Sequence, residues 1–143
     1  MMKGFERMNK TDTIKALRAE SLNCAQCVLL LHHDALGISE EDAIKMAGCF
    51  GGGMAVKGTC GALTGALMAL GFRCGAFRGD PAKKKACHQI TEEFVRAFER
   101  EYGSTQCSYF TGERAADAKS GCAPRHTCNE LIEGASDMLD RLL

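Results

Sequence analysis

Three of the nine cysteines in this 143-residue chain, Cys24, Cys60 and Cys128, stand directly after an Asn or a Thr. Asn23, Thr59 and Thr127 are good helix N-caps, so each cysteine is expected at the first position of a helix. Unpaired backbone N–H groups and the positive end of the helix dipole favour a thiolate there. Such sites take a thiol pKa from about 8.5 into the range of roughly 3.5 to 7.5. The thiolate is both the nucleophile of disulfide exchange and the form that binds soft metals. If the three helix starts converge, their sulfurs would form a dithiol pair or share a metal or iron–sulfur cluster. Cys60 is the first candidate, because the glycine-rich stretch from Cys49 to Gly65 delivers it to the start of an apolar run. The competing reading of any one of these residues is a buried structural thiol. Cys24 and Cys27 also form a CxxC, and three residues apart on a helix they are neighbours within reach of a local disulfide.

The elements that must position these thiols read as helices throughout. Thr11 or Thr13 opens a first amphipathic helix with Ile14, Ala16 and Leu17 on one side, ending near Ser21. Asn23 and Gln26 form the reciprocal pattern of a capping box, and the helix they open runs to a stop at Gly37. Ser39-Glu40-Glu41-Asp42 caps a third helix ending around Cys49. After the glycine loop, Gly61 to Leu70 is apolar on nearly all sides and is expected to be a central helix. Gly71 to Gly79 reads as a loop, and Asp80-Pro81 begins the longest helix, which stops at Gly103. Cys87 recurs on its apolar stripe with Ile90, Phe94 and Phe98, which marks it as core. Cys107 falls in the first turn of a short segment opened by Ser104 or Thr105. The stretch from Thr111 to Arg125 is a polar loop. Thr127 and Glu130 repeat the capping box before a final helix lined by Leu131, Ile132, Ala135 and Leu139. No four-residue stretch alternates as a strand would. The expected fold is an all-α single-domain helical bundle over residues 1–143, with about five to seven helices around the central apolar one.

Composition removes several function classes. Lys plus Arg and Asp plus Glu number 18 each, so no net field draws in nucleic acid. Neither a signal-peptide stretch nor an apolar run of about 18 residues is present, which points to a cytoplasmic protein without membrane insertion. Nine cysteines are about 6% of the chain, below the roughly 8 to 10% of short secreted disulfide scaffolds, and the number is odd. Competing motifs fail on their details. Val28 stands where haem attachment needs His, a second CxxC for a zinc ribbon is absent, and Lys57-Gly58-Thr59 lacks the order of a phosphate loop. The glycines of that loop are expected to supply positive φ or a close backbone approach beside Cys60. His126 is the only histidine near a candidate sulfur, and it reads as a loop residue.

These residues resemble a family of small bacterial and archaeal proteins described as redox-active, the C_GCAxxG_C_C family. Its mark is one Cys, a Cys-Gly-Ala-x-x-Gly box and two further Cys. Cys24 in Asn23-Cys24-Ala25-Gln26 matches the first, Cys60-Gly61-Ala62-Leu63-Thr64-Gly65 the box, and Cys107 and Cys128 the last two. The resemblance implies a redox role for those four cysteines and, for some relatives, an association with membrane transporters. This chain adds Cys27, Cys49, Cys74, Cys87 and Cys122. Cys27 stands where Ala is expected, and Cys49 and Cys122 precede candidate thiols as resolving cysteines or alternative ligands.

The function expected from the sequence is thiol-based redox chemistry, by disulfide exchange or electron transfer, with a redox protein or small thiol as its partner. Cys24 and Cys60 are the expected central pair, supported by Cys107 and Cys128. The alternative is a metal or iron–sulfur protein, with zinc or a cluster on the same four cysteines. A third reading is a structural helical module, including one that assembles as a homo-oligomer.

Overall fold

The computed structural model describes residues 8–111 and 126–143. The fold is all-α. Helix α1 spans Lys10–Ala19, α2 Cys24–Leu36, α3 Glu40–Met46, α4 Gly61–Cys74, α5 Pro81–Tyr102, α6 Cys107–Thr111 and α7 Cys128–Asp140. Cys122 and most of the expected polar loop lie outside the described residues.

Helix α4 is nearly all apolar and packs against α2, α5 and α7. Its buried positions are Gly61, Ala62, Leu63, Gly65, Ala66, Ala69 and Leu70. Small residues on this face let α2 come close. A Cβ on Gly65 would stand 2.7 Å from the Ala25 carbonyl oxygen and 2.9 Å from Ala25 Cα. A Cβ on Gly61 would stand 3.2 Å from Cys24 Cβ. Two glycines one helical turn apart therefore seat the α4 backbone against the first turn of α2.

The remaining helices close the core. Leu131, Ile132, Ala135 and Leu139 of α7 are completely buried, as are Val28 and Phe98 from α2 and α5. Ser136 is buried with them because its hydroxyl lies 2.8 Å from His32 Nε2, so each polar group has a partner. Burial, opposed by the nearby Asp140, holds the His32 pKa below its ordinary value. Helix α1 lies along α7, with Lys10 Nζ donating to Asp137 and Asp140 at 2.8 and 2.6 Å.

Several boundaries differ from those read in the sequence. Helix α1 opens under Asn9, whose side chain accepts from Asp12 N–H, and not under Thr11 or Thr13. Helix α3 ends at Met46, short of Cys49. Its terminal carbonyls are claimed from outside: Gln26 Nε2 donates to Ile44 O at 2.9 Å, and Asn23 Nδ2 to Ala47 O and Gly48 O at 3.3 Å. Helix α4 continues past Leu70 to Cys74, where Arg73 Nη2 donates to Ala35 O at 3.2 Å and ties the last turn to α2. Gly71 is tolerated inside α4, at a cost near 1 kcal/mol relative to Ala.

The glycine loop takes an unusual path. Gly52 (φ 62°), Gly53 (φ 62°), Met54 (φ 59°) and Ala55 (φ 65°) form a left-handed turn, and Lys57 returns to the same region at φ 58°. Each non-glycine residue there costs about 1 to 2 kcal/mol. The reversal packs the loop under α6, since a Cβ on Gly53 would stand 2.7 Å from Cys107 Cβ. Close approach is thus required at Gly53 against Cys107, as well as at Gly61 and Gly65 against α2.

Candidate functional site

Two capping boxes aim the first pair of sulfurs. Asn23 accepts from Gln26 N–H at 2.8 Å while Gln26 Oε1 accepts from Asn23 N–H at 2.9 Å, which fixes Cys24 at the first position of α2. Thr127 and Glu130 repeat this at 3.1 and 3.0 Å for Cys128 at the start of α7. His126 packs edge-on against Tyr102, ring centroids 5.0 Å apart, and steadies the entry to α7. Each of these two thiols is the strongest influence on the other. Helices α2 and α7 pack against each other, each with one of these cysteines at its first position.

Cys60 reaches the same region by a different device. The segment before α4 pairs with the segment before α6 through one antiparallel bridge, Thr59 to Gln106. Cys60 N–H donates to Thr105 O at 2.7 Å, and Cys107 N–H donates to Gly58 O at 2.6 Å. Cys60 is therefore the N-cap of α4, one position before the place expected from Thr59. The long-range bond to Thr105 holds it outside the helix. The bridge also sets Cys60 beside Cys107, whose sulfur lies 3.3 Å from Thr111 Oγ1.

The four sulfurs divide by exposure. Cys24 and Cys128 are half-buried, whereas Cys60 and Cys107 are only 5% and 9% exposed. The acidities of Cys24 and Cys128 are set most strongly by each other, and Cys24 also feels the charge of Cys60, its partner in the expected pair. Cys60 and Cys107 are the buried members of the set, and Cys60 feels the charge of both Cys107 and Cys128.

Electrostatics separates the members of the pair. The hydrogen-bonding interaction with the Cys24 thiol takes the Cys128 pKa down to about 6, with further help from Arg18, Lys57 and its own backbone N–H, against the opposing effect of burial. Cys24 moves the other way. Its interaction with Cys128, then burial, pushes its pKa well above the ordinary thiol value, although Arg18 Nη1 stands 3.6 Å from its sulfur. The two thiols thus shift in opposite directions, Cys128 toward the thiolate and Cys24 toward the protonated form. By linkage, the depressed Cys128 stabilises the fold above the unfolded thiol pKa, and that contribution is lost as pH falls through about 6.

Cys60 does not have the lowered pKa expected of it. Burial dominates and pushes its thiol up, against the Ala62 and Leu63 N–H groups that favour the thiolate without capping the helix through the side chain. Arg18 and Lys57 are functional candidates that sequence reasoning missed. Arg18 looks like an ordinary basic residue in the last turn of α1, yet its guanidinium bridges Leu22 O at 3.2 Å and the Cys24 sulfur. Lys57 is carried into range of Cys128 by the left-handed loop, with Nζ 3.4 Å from Thr111 Oγ1.

The secondary candidates separate as well. Cys27 points into the core at 0% exposure, and burial pushes its pKa up to about 11. Cys49 is exposed in the turn after α3. Cys87 is not the core residue its apolar stripe suggests. It is half-buried, and its sulfur lies 3.4 Å from that of Cys74, because only Phe94 and Phe98 of α5 are buried. Among the described residues, no group of three or more His, Cys, Asp or Glu is disposed to hold a metal ion.

Fold and site together define an all-α, cysteine-rich thiol protein. Residues 22–142 match the model of the family described as "Putative redox-active protein (C_GCAxxG_C_C)", and the chain belongs to that family. No curated protein and no solved structure matches it. No helix among the described residues is long and apolar enough to cross a membrane.

Proposed function

We propose that this protein carries out thiol–disulfide exchange, with Cys128 as the entering nucleophile and Cys24 as the resolving thiol. The observation that carries the reading is the placement of two half-buried cysteines at the capped N-termini of two helices that pack together, with the thiol of Cys128 drawn down and that of Cys24 pushed up. The Cys128 thiolate attacks one sulfur of a substrate disulfide, breaking its S–S bond and releasing the first thiolate, which takes a proton from solvent. Cys24 then attacks the Cys128 sulfur of the mixed disulfide. The second substrate sulfur leaves with the proton that Cys24 gives up. The substrate gains two electrons, and the protein ends with a Cys24–Cys128 disulfide.

A sulfur with a pKa near 6 is mostly ionised at neutral pH and is also a good leaving group, so the cycle runs in either direction. A reducing cytoplasm would keep the resting pair as dithiol. Cys60 and Cys107 are the buried thiols of the set, and the cations of Arg18 and Lys57 hold its charge.

The pH dependence of alkylation tests this assignment. Iodoacetamide labelling of Cys128, followed by mass spectrometry, is expected to rise with a midpoint near pH 6 in the parent protein. Removing the proton donor in Cys24→Ala should move that midpoint up by roughly one unit or more. An unchanged midpoint in Cys24→Ala, or a parent midpoint near 8.5, the ordinary thiol value, would refute the assignment.

A further inference from the structure

Cys74 and Cys87 lie outside the site described above. Cys74 is the last residue of α4, and Cys87 sits on the second turn of α5. Both are half-buried, and the Cys74 thiol donates to the Cys87 sulfur at 3.4 Å. Arg73, Lys83, Ala86 and Ile90 line the shallow cleft around them. Two cations thus flank a pair of accessible sulfurs from different helices, already in contact. A disulfide needs the sulfurs at about 2.05 Å, so closure asks little more than 1 Å of movement across a short loop.

From this geometry we propose that Cys74 and Cys87 are a second exchange site, which takes small anionic disulfides of the glutathione type. The hydrogen bond names the order of events. Cys87 accepts it and is the sulfur that attacks, while Cys74 keeps its proton until the second step. Attack by Cys87 breaks the S–S bond of the small disulfide, and one thiol leaves with the proton lost from Cys87. Cys74 attacks the Cys87 sulfur of the resulting mixed disulfide, and the second thiol leaves with the Cys74 proton. Two electrons pass from the protein dithiol to the small disulfide, and the product bond clamps the end of α4 to the start of α5. Arg73 and Lys83 attract the carboxylates of the incoming disulfide.

This site works apart from the first. Cys60 caps one end of α4 and Cys74 closes the other, some 14 residues or roughly 21 Å along the helix. Direct thiol exchange cannot cross that span, so the two sites exchange with their own partners. Burial followed by the contact with Cys87 moves the Cys74 pKa up, which agrees with a thiol that holds its proton until the second step.

The test is a glutathione redox titration of the full chain, quenched with N-ethylmaleimide and mapped after trypsin digestion. The expected product joins the peptide from Cys74 to Arg78 with the peptide from Ala86 to Arg96. Its formation should raise Tm by roughly 5 to 10 °C relative to Cys87→Ala in the same buffer. Cys87→Ala should show neither the link nor a glutathione adduct on Cys74, whereas Cys74→Ala should accumulate a glutathione adduct on Cys87. Failure of the linked peptide to appear at any ratio of glutathione disulfide to glutathione would overturn the proposal. So would adducts on Cys74 in the Cys87→Ala protein at the rate of the parent. Circular dichroism of each reduced variant confirms that the comparison is between folded chains.

Discussion

Replacing Cys128 by serine is expected to slow reaction with a model disulfide such as dithiobis(nitrobenzoate) at pH 7 about a thousandfold or more at this site. A serine hydroxyl is not ionised at that pH and is a far weaker nucleophile than a thiolate. Cys24 does not take over, because burial still holds its thiol up in the absence of Cys128, against the nearby Arg18 guanidinium. The Cys24→Ala protein should behave differently. It keeps the first step, slowed by its higher pKa, and loses the second, so a mixed disulfide on Cys128 accumulates in place of being resolved. Stopped-flow absorbance gives the rate, and intact mass gives the adduct. The reverse pattern, with Cys128→Ser trapping substrate on Cys24 and Cys24→Ala inert, would exchange the two roles.

The second large effect is on the scaffold. Gly65→Val places a branched side chain where even a Cβ would lie 2.7 Å from the Ala25 carbonyl oxygen. Backbone on both sides leaves nothing flexible to give way, so α2 and α4 must separate. A cost of about 3 kcal/mol is expected, which for a chain of this size lowers Tm by roughly 10 °C. The separation carries Cys24 away from its neighbours, so the Cys128 alkylation midpoint should also move up. Gly71→Ala on the same helix is the control. Nothing lies within 4 Å of its Cβ position, and the substitution should stabilise the protein by about 0.5 to 1 kcal/mol. Thermal denaturation of the two variants checks both signs.

These effects also explain what could be read from the chain without coordinates. Caps are local, so Asn23 with Gln26 and Thr127 with Glu130 place Cys24 and Cys128 at helix starts within a few residues of sequence. Those placements hold. The position of Cys60 depends on Thr105, some 45 residues away, through a backbone bond that no local pattern announces. Thr59 accordingly looks like a cap while it forms a β-bridge. The lowered pKa expected at Cys60 fails because helix position was weighed without burial, and the interior is what no single segment reveals. Cys87 is the opposite case. Its spacing matches an apolar stripe, but α5 has one principal neighbour, α4, and buries only Phe94 and Phe98, so the start of that stripe is left at the surface beside Cys74. The family box has a physical meaning visible only in three dimensions, with Gly61 and Gly65 as the seat of α2 and Ala62 as completely buried core.

Which sulfurs join on mild oxidation tests the central claim most directly. The reduced protein, treated with one equivalent of diamide and quenched with N-ethylmaleimide, is digested with trypsin and mapped by tandem mass spectrometry. Apart from the separate Cys74–Cys87 link, the account predicts a link between the peptide spanning residues 19–45, through Cys24, and the peptide spanning residues 126–141, through Cys128. A link from Cys24 to Cys60 or to Cys27 in its place, with Cys128 recovered as the maleimide adduct, would contradict it.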